Sequence, residues 1–209
     1  MDLNPVLAHP GGAVIADARI VIDASRLRTP PRYGHMAIHP YPAELEGQLR
    51  LRDGSTVAVR PIRPEDAALE RQFFDALSAH SRYQRFLNQI AQLPPQLLAR
   101  FTQLDYDREL ALVALAPGGG EFIGVGRYAP NADGETAEFA LTVADAWQGQ
   151  GVGRALLERL CECATAAGYR TLYGHILNAN QDMLGLAQHL GFAPSGRDGD
   201  LVSVARALK

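Results

Sequence analysis

The spacing of apolar residues in the first half of the chain predicts a hairpin followed by helices. The segment LRLRDGSTVAVRPI alternates with a period of two in its second arm and predicts a β-hairpin that turns at Asp53 and Gly54. RPEDAALERQFFDAL then places apolar residues on one helical face, with Pro64 and two acids at its start. Further helices are predicted over SRYQRFLNQI and over residues 95–104.

The second half of the chain predicts a sheet with helical crossovers. Three strand patterns, ELALVALA, EFIGVGRYA and ETAEFALTVA, are separated by the short turns PGGG and NADG, which favours an antiparallel meander. A helix over 151–167 ends at Gly168, and a helix over 181–190 ends at Gly191. The strands TLYGHIL and LVSVARAL follow these helices. The order β-α-α-β-β-β-α-β-α-β predicts an α/β fold with a mixed sheet.

Residues 1–44 differ from the rest because proline and glycine recur through HPGG, TPPRYGH and HPYP. One strand-like stretch, ADARIVI at residues 16–22, interrupts them. Such a segment is too short to form its own core, so it either docks on the rest or hangs loose. We therefore predict an N-terminal extension over 1–44 and one globular domain over 45–209.

Composition narrows the classes of partner. A formal net charge of -3 with a pI near 6.1 argues against a nucleic-acid or membrane-surface partner held by bulk electrostatics. MDLNPVLAHP does not resemble a signal peptide, and no apolar run approaches the ~20 residues of a membrane helix. We expect a cytoplasmic protein.

The cysteine and lysine content limits the chemistry further. Cys161 and Cys163 lie two apart in a predicted helix, so they cannot bridge each other, and we expect buried thiols and no metal site. Nineteen of the twenty basic residues are arginine, and Lys209 is the only lysine. This excludes a P-loop and an internal Schiff-base lysine. Two explanations for the scarcity of lysine are a codon bias toward arginine and the avoidance of self-modification by an enzyme that acts on lysine, and the codon bias is the simpler one.

The segment TVADAWQGQGVGRALLERL carries the main functional signal. A dinucleotide fingerprint fails here, because the third glycine position holds Arg154 or Leu156. What remains is Gln148-x-x-Gly151-x-Gly153 at the start of a helix. Helix N-termini leave backbone N–H groups unpaired and carry partial positive charge, so the pattern suits a pyrophosphate; the alternative is a tight turn without ligand.

This pattern resembles the acetyl-CoA loop of the GNAT N-acetyltransferase superfamily, and the element order from about residue 56 onward is similar too. ILNAN and LAQHLGF resemble a later motif of that superfamily. LRDGSTVAVRPIRPED, LDYDRELALVAL and AEFALTVADAWQGQGVGRALL look like the acetyltransferase domain of bacterial Pat-type protein lysine acetyltransferases. In many of those proteins this domain follows a large acyl-CoA-synthetase-like region, and DARIVID with HMAIHPYP looks like a remnant of it.

The resemblance implies a GNAT fold, whose mostly antiparallel sheet is splayed at the acetyl-CoA site and flanked by helices. It also implies acetyl-CoA as acyl donor and Glu138 as the general base that deprotonates the acceptor amine. The donor site would comprise Leu141, Thr142, Val143, Gln148, Gly149, Gln150, Gly151, Val152, Gly153, Arg154 and Asn180. The apolar neighbours Ala137, Phe139 and Ala140 are expected to desolvate Glu138 and raise its pKa. Other candidate bases are Asp105, Asp107 and Glu109, which serve equally well as turn formers.

The sequence departs from the superfamily at the general acid. Many members have a tyrosine four residues before the glycine of Leu-Gly-Phe, and that position holds Ala187 here. The thiolate would then be protonated by water, Tyr173 or His189, or its protonation would not limit the rate, since a thiol with a pKa near ~8.5 leaves readily. His175 and His189 are expected to be ordinary, partly buried histidines. Asn180 is expected to touch the donor or cap the next helix, whereas Asn178 is expected to be structural.

Three functions follow from these patterns. The first is an acetyl-CoA-dependent protein lysine acetyltransferase, with an acyl-CoA synthetase as a possible acceptor. The others are a small-molecule amine acetyltransferase and a non-catalytic acyl-CoA sensor, to which the missing tyrosine lends weight.

Overall fold

The computed structural model describes residues 2–3, 5–19 and 39–208, and the chain forms two compact units, residues 1–37 and 38–209. Within its described residues, the first unit has four short strands: β1 Asp2–Leu3, β2 Val6–His9, β3 Gly12–Ile15 and β4 Ala18–Arg19. β2 and β3 form an antiparallel hairpin that the sequence did not predict, and β1 pairs with β4. Of the strand predicted over 16–22, only residues 18–19 are found as strand, and 20–22 lie outside the described residues.

The second unit is built on one large sheet. Its strands are β5 Gly47–Arg50, β6 Thr56–Pro61, β7 Leu110–Leu115, β8 Phe122–Pro130, β9 Thr136–Val143, β10 Thr171–Leu177, β11 Ala193–Asp198 and β12 Leu201–Ala207. Their order across the sheet is β11-β12-β10-β9-β8-β7-β6-β5. Every neighbouring pair is antiparallel except β9 and β10, which run parallel. The mixed, mostly antiparallel sheet predicted from the sequence is confirmed.

Five α-helices flank this sheet in the described part of the chain: α1 Ala67–Ala76, α2 Ala79–Phe86, α3 Pro95–Thr102, α4 Val152–Ala166 and α5 Gln181–His189. A 3-10 turn at Pro64–Asp66 precedes α1. α2 ends sooner than predicted, because Leu87 adopts a left-handed conformation with φ 55°. Among the described residues, no helix is both long and apolar enough to cross a membrane.

Helix α4 supplies much of the core. Leu156, Leu157 and Leu160 are fully buried and belong to one hydrophobic cluster with residues of the sheet. Gly126 in β8 permits this close approach, since a Cβ added there would lie 2.8 Å from a methyl group of Leu160. Cys161 and Cys163 are free and buried, as predicted.

β9 and β10 remain paired over only part of their lengths. Their register joins residues 136–138 of β9 to 171–173 of β10 and then stops, although β9 continues to Val143 and β10 to Leu177. At the next position, the ring of Phe139 lies over Gly174, where an added Cβ would be 2.7 Å from the ring. The sheet is therefore splayed between these two strands.

Candidate active site

A cavity of about 1160 Å³ lies where β9 and β10 part. Its wall includes the end of β9, the glycine loop before α4, the start of α5 and part of α2. Ten predicted site residues line it: Glu138, Leu141, Thr142, Val143, Gln148, Gly149, Gly151, Gly153, Arg154 and Asn180. Gln150 and Val152 do not, because the Gln150 amide donates to the Ala146 carbonyl at 2.7 Å and the Val152 side chain is fully buried.

The glycine loop presents unpaired backbone donors to this cavity. The first backbone hydrogen bond of α4 runs from the Ala155 N–H to the Gly151 carbonyl at 3.0 Å. The N–H groups of residues 151–154 therefore have no acceptor within the helix. Such a cluster of donors at the positive end of a helix dipole fits a pyrophosphate.

Glycine is required at two positions of this loop for different structural reasons. Gly149 and Gly151 adopt φ values of 73° and 98°, which residues with a Cβ rarely take. A Cβ at Gly149 would meet nothing within 4 Å, whereas one at Gly151 would lie 3.0 Å from the backbone nitrogen of Arg52. Gly151 thus approaches the turn between β5 and β6, whose Arg52 N–H donates to the Gln150 carbonyl at 3.0 Å. No pattern in the sequence predicts this contact.

Arg50 and Arg52 also line the cavity, and Arg52 lies against Gly151 of the glycine loop. They bring two cationic side chains to the cavity wall. An anionic cosubstrate is therefore favoured in this cavity.

The free edge of β9 forms a second set of backbone groups in the cavity. Beyond Glu138, β10 supplies no partner to β9, so the backbone of residues 139–143 on that edge is not part of the ladder. One carbonyl there, of Val143, accepts a hydrogen bond from the Gln148 amide at 3.2 Å. This edge suits an extended ligand that carries amide groups.

Glu138 is exposed and lines the cavity, at the last paired position before the strands part. Ala137 and Phe139 are buried on the opposite face, because successive side chains of a strand alternate between faces. The expectation that these neighbours desolvate the carboxylate is therefore wrong; of the three, only Ala140 shares its face. Tyr173, the strand partner of Glu138, donates its hydroxyl to the Asn131 side-chain oxygen at 2.9 Å.

The competing acids do not line the cavity. Asp105 accepts the Asp107 N–H within a turn at 3.2 Å, and Asp107 lies 3.4 Å from His39. Glu109 is likewise outside the cavity wall. Of the acids considered as base, Glu138 is the one placed in this cavity.

Neither side chain considered as a proton donor to the thiolate lines the cavity: Tyr173 lies beside Glu138 but outside the wall, and His189 is exposed at the end of α5. Ala187, at the position where the superfamily has its tyrosine, is fully buried. His175 does line the cavity, and its Nδ1 lies 3.0 Å from the Ser203 hydroxyl. The prediction that both histidines are partly buried is wrong, because both are exposed on the surface of their elements.

Gln148 links the glycine loop to helix α2. Its amide donates to the Ser81 hydroxyl at 3.3 Å, and Ser81 donates to Asp145 at 2.8 Å. Asp145 also accepts both the N–H and the hydroxyl of Ser78, at 2.9 and 2.8 Å. Burial acts to raise the pKa of Asp145, but these hydrogen bonds outweigh it and hold the pKa below its usual value. The network holds the start of α2 against the glycine loop, a contact that no pattern in the sequence predicts.

Asn180 both lines the cavity and caps α5. Its side-chain oxygen accepts the Met183 N–H at 3.1 Å, so the capping alternative is confirmed. Its amide nitrogen makes no hydrogen bond among the described residues, so it is free to donate to a ligand. Asn178 is exposed and its N–H donates to Asp200 at 2.7 Å, which is a structural role.

A buried charge cluster lies behind the cavity, and the sequence did not indicate it. Arg127 donates to Glu70 at 3.2 Å and stacks 4.0 Å from the centre of the Phe101 ring. Arg85 shares a water-sized space of about 20 Å³ with both residues. Burial and the charge of Arg127 lower the pKa of Arg85 to about 10, so the guanidinium stays protonated at neutral pH. In the described ranges, no group of three or more His, Cys, Asp or Glu is arranged to hold a metal ion.

Known proteins resemble this chain in sequence and in fold. A sequence profile of the acetyltransferase (GNAT) family matches residues 71–192. An acetyltransferase of Pseudomonas aeruginosa is 37% identical over 160 residues, which cover 76% of this chain and 86% of that protein.

Two solved structures extend the comparison. The GNAT domain of S. lividans PAT has a TM-score of 0.76 and 34% identity, over 81% of this chain and 100% of that chain. The yncA protein of Salmonella typhimurium, solved with its cofactor acetyl-CoA, has a TM-score of 0.61 and 21% identity, over 73% of this chain and 94% of that chain. The second likeness concerns the fold alone. The family match over more than half of the chain and the 37% identical relative establish that this chain belongs to the acetyltransferase (GNAT) family, whose members transfer acyl groups.

Proposed function

We propose that the protein is an acetyl-CoA-dependent protein lysine Nε-acetyltransferase with Glu138 as its general base. The observation that carries this proposal is the position of Glu138. It is exposed in the cavity at the last pair before β9 and β10 separate. An exposed carboxylate at that point is accessible to an amine at the end of a lysine side chain.

The residues of the cavity fit acetyl-CoA. The N–H groups of residues 151–154, with Arg50 and Arg52 in the same cavity, would hold the pyrophosphate. The free edge of β9 over residues 139–143 would pair with the amides of the pantetheine arm. Backbone N–H groups on the same edge would hold the thioester oxygen as it gains negative charge. When bound, acetyl-CoA supplies an activated acetyl group.

The acceptor requires a base because an alkyl ammonium has a pKa near ~10.4. Glu138 would take its proton, directly or through water, and the neutral amine would attack the thioester carbon. Protonation of the thiolate by water is consistent with Ala187, since a thiol with a pKa near ~8.5 is a good leaving group.

The resemblance to Pat-type enzymes and the 34% identity to the GNAT domain of S. lividans PAT support a protein lysine as acceptor. An acyl-CoA synthetase as partner, a cytoplasmic location and the origin of residues 1–44 as a remnant of an acyl-CoA-synthetase-like region belong to the same proposal. These finer points rest on the sequence.

Glu138→Gln tests the base. We expect thiol release and lysine acetylation to fall by about 100-fold or more, the usual range for a lost general base, while the dissociation constant for acetyl-CoA stays the same. Glu121→Gln, at an exposed turn outside the cavity, is the matched control. Acetylation is read by mass on candidate proteins. An unchanged rate in Glu138→Gln would exclude this residue as the base.

A further inference from the structure

Arg85 lies in the same cavity as Glu138, and the proposed function does not use it. It projects from α2 and lines the cavity together with Phe86 and Phe101. The Glu138 carboxylate attracts the Arg85 guanidinium through space, more weakly than Glu70 does. A molecule positioned with an amine at Glu138 therefore has a cationic side chain within the same cavity.

The charge of Arg85 is attracted by Glu70 only through space. Two guanidinium groups and one carboxylate make up the cluster behind the cavity, and Glu70 is bound by Arg127. Among the described residues, Arg85 makes no hydrogen bond or ion pair. Its contacts are with aromatic faces, at 4.9 Å from the centre of the Phe86 ring and 5.7 Å from that of Phe101.

Such an arrangement favours an anion. The aromatic rings hold the guanidinium in place without satisfying its N–H donors, and its planar fork matches a carboxylate. Glu138 adds negative charge to the same cavity, so a singly charged anion fits better than a phosphate with two charges. A molecule with a cationic amine and a carboxylate complements Glu138 and Arg85 together.

We propose that Arg85 binds a carboxylate carried by the acceptor, so that the substrate class is amines accompanied by a nearby anionic group. This inference rests on the proposed transferase site. The carboxylate has two possible sources: an acidic side chain next to the acceptor lysine of a protein, or the α-carboxylate of a free amino acid. The chemistry at Arg85 is the same for both.

Matched acceptors test this proposal with the full chain and acetyl-CoA. One pair is a lysine peptide with glutamate or glutamine beside the lysine, and the other is a free amino acid and its amide. We expect kcat/KM to favour the carboxylate member of at least one pair by about 10- to 100-fold, the range for a charge-assisted hydrogen bond. The pair that shows the preference identifies the source.

Two variants assign the preference to this side chain. Arg85→Gln should bring the ratio of kcat/KM between the carboxylate and neutral acceptors close to one, whatever its overall rate, and Arg85→Lys should restore part of that ratio. Arg71→Gln, on the exposed face of α1 and outside the cavity, should keep it. The absence of any preference in the wild type, or its persistence in Arg85→Gln, would overturn the proposal.

A binding measurement separates this inference from the proposed function. Calorimetry compares the carboxylate and neutral acceptors on CoA-loaded wild type and Arg85→Gln. If no lysine is acetylated but the wild type alone binds the carboxylate acceptor more tightly, the lysine acetyltransferase proposal fails and the anion site stands. If lysine peptides are acetylated and bound equally with either neighbour, and amino acids likewise, the anion site fails and the transferase stands.

Discussion

Gly151→Ala tests the two reasons for a glycine at this position of the glycine loop, which are its positive φ and its close contact with Arg52. Gly151 has φ 98°, and a Cβ there would lie 3.0 Å from the Arg52 nitrogen. Gly118 is a matched control, because it has φ 97° in the turn between β7 and β8 and nothing within 4 Å of its Cβ position. The two substitutions therefore share backbone strain and differ in the contact with Arg52.

The structure sets the size of each effect. Placing alanine at such a φ costs about 1–2 kcal/mol, and both variants should lose this. Gly151→Ala must also shift the β5–β6 turn and weaken the bond from the Arg52 N–H to the Gln150 carbonyl, which adds about 1 kcal/mol. For a chain of this length, that difference corresponds to about 2–4 °C in Tm.

Thermal unfolding measures the loss of stability, and calorimetric titration with CoA measures the change in CoA affinity. We expect Gly151→Ala to have the lower Tm of the two variants and weaker CoA binding, whereas Gly118→Ala binds CoA like the wild type. Equal Tm values for the two variants would show that the contact with Arg52 contributes nothing. Unchanged CoA affinity in Gly151→Ala would refute the donor-loop assignment.

Two further substitutions test contacts made by residues that do not line the cavity. The Asp66 carboxylate accepts hydrogen bonds from both terminal guanidinium nitrogens of Arg60, at 2.6 and 2.8 Å, and from the Arg63 N–H at 2.7 Å. Burial acts to raise the pKa of Asp66, but these hydrogen bonds outweigh it and hold the pKa below its usual value. Asp66→Asn should lower the free energy of unfolding by about 3 kcal/mol at pH 7, as measured by urea titration. Because the lowered pKa means that only the ionised carboxylate stabilises the fold, this difference from the wild type should shrink as the pH falls below ~3.9. Urea titrations at several pH values measure the change. Gly174→Ala forces a Cβ to 2.7 Å from the Phe139 ring, so its Tm should fall by the equivalent of about 1–3 kcal/mol; an unchanged Tm would mean that the ring moves freely.

The sequence predicts the elements whose patterns are strong. The helix predicted over 151–167 is α4 at Val152–Ala166, and the helix over 181–190 is α5 at Gln181–His189. Both are amphipathic and end at glycines in a left-handed conformation, Gly168 and Gly191. The meander strands β7, β8 and β9 follow from short turns between apolar runs.

Two strand regions have no such pattern and were missed. All six residues of β11, Ala193–Asp198, are exposed, and the strand holds a proline and a glycine at a register shift between Pro194 and Gly196. The hairpin of β2 and β3 is exposed along both strands. Without a buried face, neither segment shows the alternation on which a sequence-based assignment depends.

Some residues of the candidate site can be predicted from the sequence and others cannot. Gln148 and the loop glycines are readable because their spacing within one segment carries the chemistry, and Glu138 follows from resemblance. Arg52 and Arg85 are not readable, since each reaches the cavity through contacts between segments far apart in the chain. An arginine in a helix or a turn looks the same in sequence whether it faces water or a ligand.

The chemistry proposed for this cavity depends mainly on backbone groups that secondary structure leaves unpaired. The parting of β9 and β10 frees the edge of residues 139–143, and the start of α4 frees the N–H groups of residues 151–154. Neither set depends on the identity of a side chain, but both depend on where the backbone lies. Phe139 against Gly174 and Gly151 against Arg52 fix those positions through close contacts. Substitutions that add a Cβ at these two glycines should therefore impair donor binding more than truncation of the Leu141 or Val143 side chain, even though Gly174 does not line the cavity.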